Sequence, residues 1–182
     1  MAKSKNAKAI VRAIIKWAFL AAYVALFILI LVEAATPGEG SAAQSTVITD
    51  VVIEVAHIDA PKGSPAYEEV HISVRKIVGH YSLFAFFALM GDGFLLLQWK
   101  KPWHIGLGAL VSLTVGLFAA FFSEYLQTLV PARAGLPEDA WIDAGGYGTG
   151  LLIGAIVFLV LFLVRKKKEK DSACSSLSED KR

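Results

Sequence analysis

An all-α integral membrane fold, a four-helix bundle, is predicted by three features of this chain. The 182 residues are 55% hydrophobic and only 19% charged, too apolar for a soluble domain of this size. Four apolar runs, at 13–32, 77–98, 105–124 and 145–164, lie near the ~20 residues needed to cross a ~30 Å hydrocarbon core. The basic residues sit in blocks beside those runs. With a net charge of +2 and no basic face to track phosphates, nucleic acid is excluded as a partner.

In chain order, Lys3, Lys5, Lys8 and Arg12 precede the first run, which exceeds the 7–15 residue core of a signal peptide and reads as an uncleaved span. Lys16 snorkels toward the same basic side. A loop of ~40 residues follows, in which TPGEGSAAQS reads as a flexible connector. Within it Val47, Ile48, Val51, Val52, Val55 and Ile58 recur at helical spacing, predicting a short interfacial helix; their β-branched content also fits a strand. PKGSP breaks the chain. Val70, Val74, Ile77 and Val78 then place YEEVHISVRK on a membrane-surface helix that feeds the second span.

The turn QWKKPWH separates spans two and three, with Trp99 and Trp103 suited to a headgroup interface and Lys100 and Lys101 to the cytoplasm. The last span ends in RKKKEKD. Both termini in the cytoplasm satisfy every basic cluster. Residues 1–165 thus form one membrane domain and 166–182 a disordered polar tail. Its single cysteine, Cys174, offers neither a disulfide framework nor a metal cluster.

That topology gathers distant polar residues at the non-cytoplasmic end. His80 opens the second span, Glu124 closes the third, and Asp139 and Asp143 precede the fourth. Arg75 and Lys76 join them, Lys76 lying four residues before His80 on one helical face. Asp92, ~18 Å further along at 1.5 Å per residue, belongs to the opposite half and stays outside this site. Glu124 and Gln127 share a face, Pro131 ends their helix, and Arg133 follows in the turn. A fourth helix starting at 137–139 would stabilise its early carboxylates. Gly146, Gly150 and Gly154 then form a helix-packing stripe.

The spacing Glu124, Gln127, Pro131, Arg133, Asp139, Asp143, Gly146 and Gly150 resembles the pattern of the VanZ-like family, with Asp143 at the family's Asn position. Arg75, Lys76 and His80 match its upstream motif, and Ser41 to Ser45 resembles its serine-containing outer loop. The Glu and Tyr that often follow the family histidine are absent, since Tyr81, Ser82, Leu83 and Phe84 stand there. The resemblance spans roughly residues 10–165 and implies a four-helix membrane protein associated with resistance to glycopeptides, teicoplanin in particular.

Two functions fit these residues. In one, Arg75, Lys76, Gln127 and Arg133 bind an anionic cell-envelope lipid precursor, or a membrane protein partner, without catalysis. In the other, His80, Glu124, Asp139 and Asp143 form an acid/base or divalent-metal centre acting on a lipid-linked envelope precursor. No nucleophile and no HExxH-like metal motif is present, so no cofactor is specified and enzymatic activity stays open. A transporter fits poorly, because the chain has no evident inverted repeat.

Overall fold

In a computed structural model of the protein, residues 2–98 and 102–179 are described, with side chains over 6–98 and 106–168. The helices are α1 (Ala2–Ala35), α2 (Gly38–Ala56), α3 (Pro65–Val74), α4 (Leu83–Gln98), α5 (Pro102–Thr128) and α6 (Pro137–Glu179), with a π-helical stretch, Arg75–Ser82, joining α3 to α4. No strand occurs among the described residues. Four helical segments are long and apolar enough to cross a membrane: Asn6–Ala35, Pro65–Gln98, Gly106–Thr128 and Pro137–Lys168. Their outward faces carry exposed Ile, Leu, Val and Phe, as a lipid-facing surface requires.

The buried centre is aromatic. Phe87 stacks on Tyr23 at 4.3 Å between ring centroids and meets Tyr147 edge-on at 5.3 Å. A buried phenol needs a partner. The Tyr147 hydroxyl finds one in Ser112 Oγ at 2.6 Å.

Polar contacts fix the two ends of the bundle. At one end Arg12 Nη2 donates to the Leu97 carbonyl at 3.1 Å, and Lys16 Nζ to Gln98 Oε1 at 3.0 Å. The N-terminal basic block and the end of α4 therefore lie together. At the other end the Gly38 amide donates to the Pro131 carbonyl at 3.3 Å, bringing the α1–α2 and α5–α6 connections into contact.

Two expectations need correction. GEGSAAQS is not a flexible connector but the first half of α2, which starts directly after Pro37 and holds Glu39 in its first turn. Ala42, Ala43 and Gln44 favour helix, and Glu39 complements the positive helix end. Helix α6 continues past Val164 as far as Glu179. The second correction concerns the helix between 75 and 82, which is π-helical rather than α-helical, with Ser82 Oγ donating to the Ile77 carbonyl five residues back at 2.8 Å. Within it Arg75 Nη2 and His80 Nε2 both approach Asp139 Oδ2, at 3.1 and 3.9 Å. The turn around Trp99, Lys100, Lys101 and Trp103, and Cys174, fall outside the described side chains.

The glycines of α6 face the second span. A Cβ at Gly146 would strike the Tyr81 carbonyl, one at Gly150 the Ala85 carbonyl, and one at Gly154 the Asp92 carboxylate. Backbone obstacles cannot rotate away. Gly150→Val is expected to lower stability by about 1–3 kcal/mol, read as an earlier thermal transition in detergent.

Helix α2 lies against α3 through its polar face. Thr49, fully buried, sits 3.1 Å from His71 Nδ1, while Val47, Val51 and Val55 are exposed on the opposite side. Tyr67 and Lys62 both reach Asp50, at 2.9 and 2.6 Å. Hydrogen bonds from Lys62 and then Tyr67 hold the Asp50 carboxyl below its usual range, and the same ion pair raises Lys62. A depressed folded pKa stabilises above the unfolded value and is lost as pH falls through the folded one. Amide-exchange protection in α2, corrected for the intrinsic rate, should therefore fall as the pH drops below about 4, and Asp50→Asn should abolish that step.

Candidate functional site

The polar end of the bundle is built from four elements. Three carboxylates, Glu124 at the end of α5 and Asp139 and Asp143 in the first turns of α6, are 5%, 1% and 1% exposed. All three surround the His80 imidazole. Its Nδ1 lies 3.1 Å from Asp143 Oδ1 and 3.8 Å from Glu124 Oε1, and its Nε2 lies 3.9 Å from Asp139 Oδ2. Arg75, one π turn earlier, donates from Nη2 to Asp139 Oδ2 at 3.1 Å. Asp139 Oδ1 is buried with no hydrogen-bond partner among the described residues.

The local sequence explains this placement. Pro137 opens α6, a position where its missing N–H costs nothing, and Glu138 and Asp139 occupy the first turn at the positive helix end. Asp139 and Asp143 are four apart and project on one face toward the π segment. Glu124 Oε2 accepts from the Leu136 amide at 3.0 Å, which ties the end of α5 to the start of α6. Gly135 is required there, since a Cβ would collide with the Glu124 carbonyl oxygen. Ala132 adopts a φ of 57°, the left-handed value that lets the chain reverse after Pro131.

Arg133 is committed to the scaffold. Its Nε donates to the Thr36 carbonyl at 3.1 Å, one terminal nitrogen donates to Gln127 Oε1 at 3.3 Å, and the other bonds the Glu33 carbonyl. Gln127 passes the interaction on, donating from Nε2 to Glu124 Oε1 at 2.7 Å. Burial draws the Arg133 guanidinium below its usual range, and the neighbouring Arg75 charge adds to this. It nevertheless stays cationic.

Two neighbouring cavities open beside these groups. One of about 170 Å³ is lined by Ser41, Gln44, Ser45, Arg75, His80, Gln127, Arg133 and Asp143, with an apolar flank of Ile30, Ile48, Leu83 and Phe84. A second of about 300 Å³ shares Ser41, Ser45, Arg75, Gln127 and Arg133 with it. Lys76 lines neither. Asp92 lies elsewhere, in a largely apolar cavity between α4, α5 and α6.

The VanZ/LLP1 family profile matches residues 19–162, which includes every element of this site. The chain belongs to the VanZ/LLP1 family. With four membrane-crossing segments it is a multi-pass membrane protein of a family linked to glycopeptide resistance. Searches of curated proteins and of solved structures returned no match.

The structure brings together Arg75, His80, Glu124, Gln127, Arg133, Asp139 and Asp143 as the VanZ/LLP1 pattern implied, and leaves Lys76 aside. It adds Ser41, Gln44 and Ser45, whose contribution to the cavity wall sequence reasoning missed. Their signal was a polar stripe at helical spacing, opposite the valines of α2.

Proposed function

We propose that the chain binds the anionic headgroup of a cell-envelope lipid in the paired cavities at the non-cytoplasmic face, and thereby contributes to glycopeptide resistance without catalysis. The observation that carries this is Arg75. It lines both cavities, is 42% exposed along its side chain, and spends one nitrogen on Asp139. The remaining guanidinium donors suit bidentate contact with a phosphate or carboxylate. Ser41, Gln44 and Ser45 supply neutral polar contacts around it. On the apolar flank Ile48 is 42% exposed, which suits an amphiphile with its headgroup inward.

The inner cavity by itself, about 170 Å³, is smaller than the ~300–1,000 Å³ of pockets that enclose a complete drug-sized ligand, a size suited to a headgroup. The basic N-terminal block, held against the end of α4, supports a cytoplasmic placement of that end and an outward placement of the cavities.

Teicoplanin susceptibility tests the physiological part. Cells expressing the intact chain should tolerate more teicoplanin than cells carrying Arg75→Gln at equal protein level. Equal tolerance would remove Arg75 from the function. A second reading, a membrane-embedded enzyme acting on a lipid-linked precursor, draws on the His80 and carboxylate cluster. It predicts turnover of such a lipid by the purified protein.

A further inference from the structure

The carboxylate cluster contains more negative charge than lipid binding through Arg75 explains. Three buried carboxylates surround the His80 imidazole, and the guanidinium that bonds one of them, that of Arg75, reaches only Asp139. Buried carboxylates gathered this closely are costly unless partners satisfy them. One atom each from His80, Glu124 and Asp143 lie within 4.8 Å of one another, close enough for a single ion to touch all three.

We infer that His80, Glu124 and Asp143 form a three-ligand site for a divalent ion of the Zn²⁺ or Mn²⁺ type, with its open positions toward the inner cavity. One imidazole and two carboxylates match the donor preference of such borderline ions better than that of an all-oxygen Ca²⁺ site. Three protein ligands leave coordination positions for an outside oxygen.

The surroundings have the form of a metal site's outer shell. His80 Nδ1 faces Asp143 and Glu124, while its other nitrogen faces Asp139 at 3.9 Å. A carboxylate on the far ring nitrogen is the usual orienting partner of a ligating histidine. Gln127 and the Leu136 amide fix Glu124 from both oxygens, which limits its rotamers. Asp139, bonded to Arg75 through Oδ2 and 3.9 Å from the far ring nitrogen, is the residue placed to position the imidazole.

His80 and Asp143 line the inner cavity that also contains Arg75. The ion and Arg75 would therefore hold the same anionic headgroup from two sides, so this inference deepens the lipid-binding proposal and rests on it for the ion's role.

The experiment uses the full chain purified in detergent, stripped with a chelator, and equilibrated separately with Zn²⁺ and Mn²⁺. Metal analysis should find about one ion per chain. His80→Ala and Glu124→Gln should each weaken binding at least tenfold, and Asp139→Asn by the ~10–100-fold typical of an outer-shell partner. Glu69→Gln, an exposed carboxylate on α3, should change nothing. If His80→Ala fails to fold, the near-isosteric Glu124→Gln carries the test, with Mn²⁺ electron paramagnetic resonance as the readout. Wild-type protein without bound ion, or ion retained equally by Glu124→Gln and wild type, would overturn the site.

Anionic-lipid retention by the stripped protein is measured in parallel. Lipid retained by protein that takes up no ion on re-equilibration rejects the metal site and keeps headgroup binding. Ion bound without lipid keeps the site and rejects headgroup binding.

Discussion

Replacing Arg133 with alanine should cost about 3–5 kcal/mol of stability, the sum of a lost multidentate cation and of polar groups left without partners. Arg133 holds the Thr36 and Glu33 carbonyls at the end of α1 and Gln127 on α5. Its removal unfastens the α1–α2 connection from the α5–α6 turn and releases Gln127 from its orientation toward Glu124. Arg133→Lys should recover only part of the loss, because one ammonium cannot reproduce a planar fork. Thermal unfolding in detergent measures both variants. Unchanged stability combined with lost lipid binding would instead make Arg133 a ligand contact.

The second large effect is expected at Arg75, and it has the opposite character. Arg75→Gln keeps a donor for Asp139 but removes the charge presented to the cavities. Anionic-lipid binding should fall at least tenfold, the consequence of losing roughly 1.5–3 kcal/mol from charge-assisted hydrogen bonds. Zwitterionic lipid binding should change little, and the thermal transition should move less than for Arg133→Ala. Native mass spectrometry with phosphatidylglycerol and phosphatidylcholine separates these outcomes. Equal retention of both lipids by the variant would show that Arg75 does not select charge.

The contrast between the two arginines shows where sequence reasoning reaches its end. Hydropathy placed four spans because a membrane imposes length and composition on every crossing. Topology then brought His80, Glu124, Asp139 and Asp143 to one end before any contact was known. Two features stayed hidden. Which arginine binds and which latches depends on carbonyl partners about a hundred residues away, which no local pattern records. Of the neighbours Arg75 and Lys76 only Arg75 lines the cavities, and no residue between Arg75 and Ser82 announces the π-helical stretch that carries them. Helix α2 was half legible: its valine stripe marked an interfacial helix, while Ser41, Gln44 and Ser45 were read as part of a connector resembling the family's serine-containing loop rather than as a wall.

The aromatic centre has a separate part. Phe87, Tyr23 and Tyr147 with Ser112 form a rigid middle, and the site sits at one end of it. Rigid spans fix the carboxylates of α5 and α6 against the imidazole on the second span. Close approach at Gly146 and Gly150 is what allows that register.

The central claim is that Arg75 contacts the anionic group of a bound lipid. Solid-state NMR of the protein in phosphatidylglycerol bilayers, measuring dipolar coupling between arginine guanidinium ¹⁵N and lipid ³¹P, tests it most directly. A coupling that disappears in Arg75→Gln and persists in Arg133→Lys is the predicted result. No arginine–phosphorus coupling, or one unaffected by Arg75→Gln, would contradict it.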